Sequence, residues 1–313
     1  MKIRSMVNGI KKELKLRWGL YILLLPTLIY VLIFLYGPMG GVLMAFQDYK
    51  SSLGLLKSPF VGLKHFRRFL TDYNFKTIFS NTLIISFYSL IAGFPFPIIF
   101  ALFTNTIKSK KLKNFIKTAS YAPHFISVVV IVAMINLFFA PTSGVVVNIY
   151  NNIRSIVGLE EVTLGILTDK NAFYHLYVWS GIWQELGWNS IVYIAALSAI
   201  SPDLYEAANI DGASRIQCIR YIDFPSILPT IVTLLILNTG NILSIGFEKA
   251  YLMQNNLNIQ ASEIISTYVY KVGLNNAMYS FSTAVGLFNS IINLTLLLIV
   301  NAVSKKLTDI GIL

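Results

Sequence analysis

The 313-residue chain is 55% hydrophobic and only 12% charged, with a mean hydropathy of +0.66, against roughly 45–50% apolar and 25% charged in soluble domains. So few charges cannot coat a soluble surface of this size, and 21 Phe with 17 Tyr exclude a disordered chain, which leaves a membrane protein. The net charge of +11 requires either nucleic acid or membrane topology as its cause, and the single Cys218 excludes an intramolecular disulfide and a zinc site.

Crossing a hydrocarbon core of about 30 Å takes about 20 apolar residues, and six stretches are long enough. The fold class expected is therefore all-α and polytopic, with six transmembrane helices. A basic cytoplasmic segment, residues 1–17, precedes the first stretch, Trp18–Gln47. That stretch far exceeds the roughly 7–15 residues of a signal-peptide core and no small-x-small cleavage pattern follows, so it is read as a helix. Residues 61–70 read as a surface-lying amphipathic segment or an ordinary basic loop. Thr77–Ile107 forms the second stretch, where Pro95 and Pro97 predict a kink. The loop 108–117 holds five Lys and no acid. The third stretch, Thr118–Ile153, contains Pro141, Ser143 and Gly144, which limits its helix to Thr118–Phe139.

Asn171–Ala208 forms the fourth stretch, interrupted by Glu185 and Glu206; Phe224–Phe247 and Val272–Ser304 complete the set, leaving 305–313 as a cytoplasmic tail. Alternate loops and tails carry 15 of the 25 Lys and Arg, which places both termini in the cytoplasm. The positive charge is thus a topology signal, and no nucleic-acid partner is needed.

Residues 201–225, between the fourth and fifth spans, carry unusually dense capping chemistry. Ser201 can cap a first short helix, with Pro202 at its first position and Asp203 and Glu206 near its N-terminus. Gly212 can adopt the left-handed geometry that stops it. Ser214 and Gln217 form a capping box for a second helix, and Pro225 is expected to enforce its exit. The acids Asp203, Glu206, Asp211 and Asp223 all fit this capping pattern. Joining two spans takes only a few polar residues, so the turn reads as a docking element.

Glu206-Ala207-Ala208 and Asp211-Gly212-Ala213, with Pro225 and Pro229, resemble the EAA-type coupling loop of bacterial ATP-binding cassette (ABC) importer permeases. Ile219 stands where that family often has an aromatic and Phe224 where it has Leu. Ser58-Pro59-Phe60-Val61-Gly62-Leu63, Tyr121-Ala122-Pro123-His124-Phe125 and Gly187-Trp188-Asn189-Ser190 look like the polysaccharide or complex-oligosaccharide branch of the maltose-type permeases. The resemblance implies a six-helix permease domain over 18–304 in a bacterial cytoplasmic membrane. It implies as partners two cytoplasmic ABC ATPase subunits holding ATP and Mg, a second permease that is either a copy of this chain or, as the family usually has it, a different one, an external solute-binding protein and a saccharide. It further implies that Glu206, Ala207, Ala208, Asp211, Gly212, Ala213 and Pro225 couple ATPase motion to the membrane helices. The absence of a G-x-x-x-x-G-K-[ST] run agrees, since a chain without a P-loop must borrow its energy.

Within the spans, Glu185 is the one ionisable acid, about 22 Å from the Ile200 end at about 1.5 Å per residue, hence in the outer third. Near Trp183 and Trp188 it reads either as a contact at the external mouth of the pathway or as an acid beside an aromatic belt. Asn238 lies near the midplane and shares a helical face with Asn241, and both suit either sugar hydroxyls or helix–helix hydrogen bonds. Asn289 and Asn293 suit the second role. His65, His124 and His175 are scattered, and no metal-ligand spacing occurs. An ion-driven secondary transporter or export permease is the competing reading; it predicts buried acid or His relays near the midplane, and only the off-centre Glu185 is seen. A membrane glycosyltransferase would need a carboxylate cluster or D-x-D motif, which is missing.

Overall fold

The computed structural model describes residues 16–160, 162–163, 165–308 and 311. The expectation for the basic segment 1–17 therefore falls largely outside the described residues. The architecture is all-α, at 77% helix, and the β-type pairing among the described residues is an isolated antiparallel bridge between Gln47 and Phe60.

Helix α1 (Trp18–Phe46) passes through a π segment at Val31–Tyr36 and ends as a 3-10 helix. Its apolar stretch buries nothing within the chain, so its surface is turned to lipid or to another chain. Helix α2 (Lys64–Leu70) forms from the basic segment 61–70 and docks on the bundle through buried His65 and Phe69. The Phe69 ring meets Phe75 and Phe288 edge-on at 5.0 and 5.5 Å, contacts worth about 0.5–1.5 kcal/mol each beyond area burial. Lys64 Nζ lies 2.6 Å from Asp48, and this hydrogen bond holds the Asp48 carboxyl below its ordinary value.

Helices α3 (Phe75–Gly93) and α4 (Pro95–Asn105) form one span broken at Phe94, where Pro95 and Pro97 withdraw backbone donors. The third expected span is corrected. Helix α5 (Lys110–Tyr121) starts at Lys110 rather than Thr118, so most of the Lys-rich loop is helical, with Ser109 accepting from the Leu112 N–H at 3.4 Å. The chain then passes through a 3-10 turn, Ala122–Phe125, and resumes as α6 (Val128–Phe138) after a 95° bend. Pro123 and the extended Ile126 make the bend, and Ser127 caps the new helix. Hydropathy records that both arms are apolar but not that they point in different directions. Helix α7 (Val145–Ile156) follows in the expected loop.

Helix α8 (Lys170–Ser198) has 29 residues, about 43 Å at about 1.5 Å per residue. It packs against α3, α4 and α5. Gln184, Glu185 and Asn189 make it less apolar than the four helices whose composition suits a crossing: α1, the joined α3 and α4, α10 (Arg215–Gly240) and α13 (Tyr279–Thr308). The bent pair α5 and α6 adds a fifth crossing if counted as one span. The expected fourth stretch divides at Ser198, and Pro202–Ile210 is a separate helix, α9.

Pro225 does not end its helix. Helix α10 runs unbroken from Arg215 to Gly240, with a π turn at Ile219–Asp223 directly before Phe224 and Pro225. The widened turn relieves the clash a proline ring makes with a regular preceding turn. Short helices α11 (Phe247–Met253) and α12 (Ile265–Tyr270) precede α13. The sixth helix begins at Tyr279 rather than Val272, after a π turn at Lys271–Asn275, and continues through Lys305 and Lys306 instead of leaving them in a tail.

The bundle has two distinct ends. At one, Tyr49 N–H donates to Ser280 Oγ at 2.8 Å and Tyr268 OH to Asp72 at 3.0 Å. At the other, Arg215 donates to the Thr106 carbonyl at 3.5 Å, bringing the Lys-rich segment and the 201–225 turn together.

Candidate functional site

The turn between α8 and α10 follows its capping chemistry closely. Ser201 Oγ accepts from the Asp203 N–H at 3.3 Å. Both bonds of the Ser214–Gln217 capping box form, at 3.3 and 2.7 Å. Gly212 has φ +73°, the left-handed state that costs an L-residue about 1–2 kcal/mol, and the Ala213 N–H returns to the Ala208 carbonyl at 2.9 Å. Glu206, Ala207, Asp211, Gly212 and Pro225 are exposed, while Ala208 and Ala213 are half-buried. Ile210 and Ile216 stand 88% and 77% exposed on the same turn. The product is a protruding ridge, apolar and acidic, with small residues between.

The ridge is tied to the bundle by a group that sequence reasoning missed. Asp223 is 2% exposed and accepts a hydrogen bond from Tyr205 OH. Asn105 Nδ2 lies 3.5 Å from both, and Lys113 Nζ donates to Asn105 Oδ1 at 3.3 Å. Burial and the Asp223 hydrogen bond push the Tyr205 phenol up to about 12, so it remains a donor. Asp223 is thus no cap: it joins α10 to α9, α4 and α5. Its signal in sequence was an acid set directly before an apolar helix.

A cavity of about 820 Å³ opens between α3, α4, α8, α10 and α11. Glu185, Trp188 and Asn238 line it together. Asn241 does not, because α10 stops at Gly240 and Asn241 is its C-cap at φ −119°, off the face that an unbroken helix would share. Asn293 serves packing: its Oδ1 accepts from the Leu243 N–H at 3.0 Å and its Nδ2 donates to Ser244 Oγ at 3.2 Å.

Two cavity features lay beyond the sequence reading. His124 Nδ1 is 2.9 Å from Glu185 Oε2, and its ring stacks on Trp188 at 4.2 Å and 4°. An acid–His pair therefore exists at the off-centre Glu185, half-exposed rather than buried; the 95° bend swings His124 onto α8. Gly187 permits that approach, since a Cβ there would lie 2.1 Å from the Ser120 carbonyl oxygen. Lys249, in an expected loop, is 7% exposed in the cavity wall, donates to the Tyr177 carbonyl at 2.9 Å and sits 4.9 Å from the centre of the Tyr177 ring. Among the described residues no group of three metal-binding side chains occurs.

Apolar spans around a largely apolar cavity that carries a few polar groups, with a capped ridge at one end, define a multi-pass transport subunit. The chain belongs to the family described as binding-protein-dependent transport system inner membrane component, whose model matches residues 93–309. It is a permease of an ABC importer and not an enzyme, the ATPase being a separate subunit. The polygalacturonan/rhamnogalacturonan transport system permease protein YteP of Bacillus subtilis (strain 168) is 41% identical to it over 293 residues, which cover 94% of this chain and 89% of that one. Protein LplB of the same organism is 40% identical over 308 residues, covering 98% and 94%. The crystal structure of a bacterial ABC transporter involved in import of the acidic polysaccharide alginate contains a chain 40% identical, with TM-score 0.85, covering 96% of this chain and 99% of that chain. A bacterial alginate ABC transporter in complex with an alginate pentasaccharide-bound periplasmic protein matches with the same values. Membership in this family answers the ion-driven alternative despite the His124–Glu185 pair.

Proposed function

We propose that this chain forms half of the membrane path for an oligosaccharide or polysaccharide, and that the ridge at 201–225 receives the motion of a cytoplasmic ABC ATPase. One observation carries the reading. Helix α10 runs without a break from Arg215, in the ridge, to Asn238, in the cavity wall, so a displacement of the ridge moves the wall with it. The printed substrates of the relatives, a polygalacturonan and alginate, support the saccharide.

In this reading Glu206, Ala207, Ala208, Asp211, Gly212, Ala213 and Pro225 form the coupling surface. Exposed Ile210 and Ile216 enter an apolar groove of the ATPase, and Glu206 meets a basic or amide group there. Glu185, Trp188 and Asn238 face the sugar; Asn241 sits beyond the cavity at the end of α10. The complete importer holds two ATPase subunits with ATP and Mg, a second, different permease and an external solute-binding protein. It lies in the bacterial cytoplasmic membrane with both termini cytoplasmic, the arrangement that the basic-residue bias supports. Residues 18–304 constitute the permease domain.

The test is uptake by the reconstituted importer. Gly212→Pro demands a φ near −65° where the backbone has +73°, and Glu206→Lys reverses a charge on the ridge. Each is expected to abolish uptake while the chain still inserts. Transport by either at the wild-type rate would remove the coupling role.

A further inference from the structure

The cavity contains a lysine with no carboxylate in direct contact. Lysine is almost never fully buried unless it is paired, yet among the described residues no carboxylate lies within 4.0 Å of Lys249 Nζ. Its direct contacts are one hydrogen bond to the Tyr177 carbonyl and the face of the Tyr177 ring, and Glu185 acts on it only through space. An ammonium has three N–H donors and no acceptor, so donor capacity is left over. The two acids of the cavity do not fill it. Glu185 is held by His124 at 2.9 Å, and Glu248, the next residue along α11, is exposed and forms no ion pair with Lys249. The ammonium is also accommodated: Gly181, on α8 and in the cavity wall, would bring a Cβ within 3.3 Å of Nζ if it carried one. Trp188, 43% exposed, offers aromatic surface in the same cavity, suited to the face of a sugar ring.

We propose that Lys249 is a specificity-determining residue that receives a carboxylate of an acidic saccharide passing through the cavity. The inference rests on the saccharide reading above and adds its charge class: the substrate supplies the carboxylate that Lys249 lacks in direct contact. Glu185, hydrogen-bonded to His124 at 2.9 Å, disfavours a carboxylate placed near it, so the cavity reads the position of the charge as well as its sign.

The experiment uses the complete importer with its binding protein in proteoliposomes. Uptake of an oligogalacturonate and of its carboxyl-reduced, neutral counterpart is measured for wild type, Lys249→Met and Lys249→Arg. The binding protein is common to all three, so a changed ratio between variants belongs to the permease. The expected result is a preference for the acidic oligomer in the wild type. In Lys249→Met its KM rises by about 10- to 100-fold, the loss of one charge-assisted hydrogen bond, with the neutral oligomer unaffected; Lys249→Arg restores most of the preference. Wild type that carries the neutral oligomer as well as the acidic one, or Lys249→Met that loses both equally, overturns the assignment while leaving the saccharide reading intact. Wild type that carries neither removes the saccharide reading, and the role of Lys249 falls with it.

Discussion

The ridge and the cavity are built by different kinds of interaction. Most of the ridge is local: Ser201, Ser214 and Gln217 cap residues two or three positions away, and Gly212 turns the chain by its own φ. The cavity is assembled from residues far apart in sequence, with His124 reaching Glu185 and Lys249 reaching Tyr177. Damage to the first should therefore sever coupling, whereas damage to the second should alter what is carried. The Tyr205–Asp223–Asn105 group is where the two kinds meet, because it fastens a local turn to helices that frame the cavity.

Substitutions in each region separate the two roles. The largest effect on stability is expected for Gly187→Ala, whose Cβ would lie 2.1 Å from the Ser120 carbonyl oxygen. Backbone must move to admit it, at a cost of about 3 kcal/mol, and the thermal midpoint of the purified chain should fall; an unchanged midpoint would mean that α5 and α8 do not meet there. Tyr205→Phe should come next. It leaves buried Asp223 without its main donor, a loss of about 1–3 kcal/mol, and should cut uptake about 10-fold while ATP hydrolysis continues. A parallel fall of hydrolysis and uptake would reduce the group to packing.

His124→Gln removes a pairing partner of Glu185 and a ring stacked on Trp188, and should raise the KM for sugar several-fold, about 1 kcal/mol by the worth of an ordinary hydrogen bond. Collapsing the proton gradient should leave uptake in ATP-loaded vesicles unaltered; a strong dependence would return the His124–Glu185 pair to ion coupling. The smallest effect separates two asparagines. Asn238→Ala should weaken transport by about 1 kcal/mol in kcat/KM, and Asn241→Ala, outside the cavity lining, should do almost nothing. Equal effects would restore the shared helical face that the end of α10 removes.

The same contrast explains what could be read in advance. Capping, a left-handed glycine and apolar length are properties of short windows, so the ridge and the apolar spans were legible. Pro225 misled because a π turn, Ile219–Asp223, absorbs it, and nothing in the local residue pattern announces such a turn. Glu185 and Asn238, which line the cavity with Trp188, stand out in the sequence because polar groups at depth contrast with an apolar background. Lys249 lies in a segment whose sequence reads as a loop, and His124 in a stretch whose hydropathy reads as one straight span. Their significance comes from a 95° bend and from packing across α8, neither of which a hydropathy count contains.

The central claim is that ridge and cavity perform separable tasks joined by α10. It is tested most directly by the number of saccharides carried per ATP hydrolysed, measured in one proteoliposome assay on wild type, Gly212→Pro and Glu185→Gln. The ratio is expected to be near zero for Gly212→Pro, with hydrolysis still detectable, and that of the wild type for Glu185→Gln at saturating sugar. A Gly212→Pro importer with the wild-type ratio, or a Glu185→Gln importer that hydrolyses ATP without transport, would contradict it.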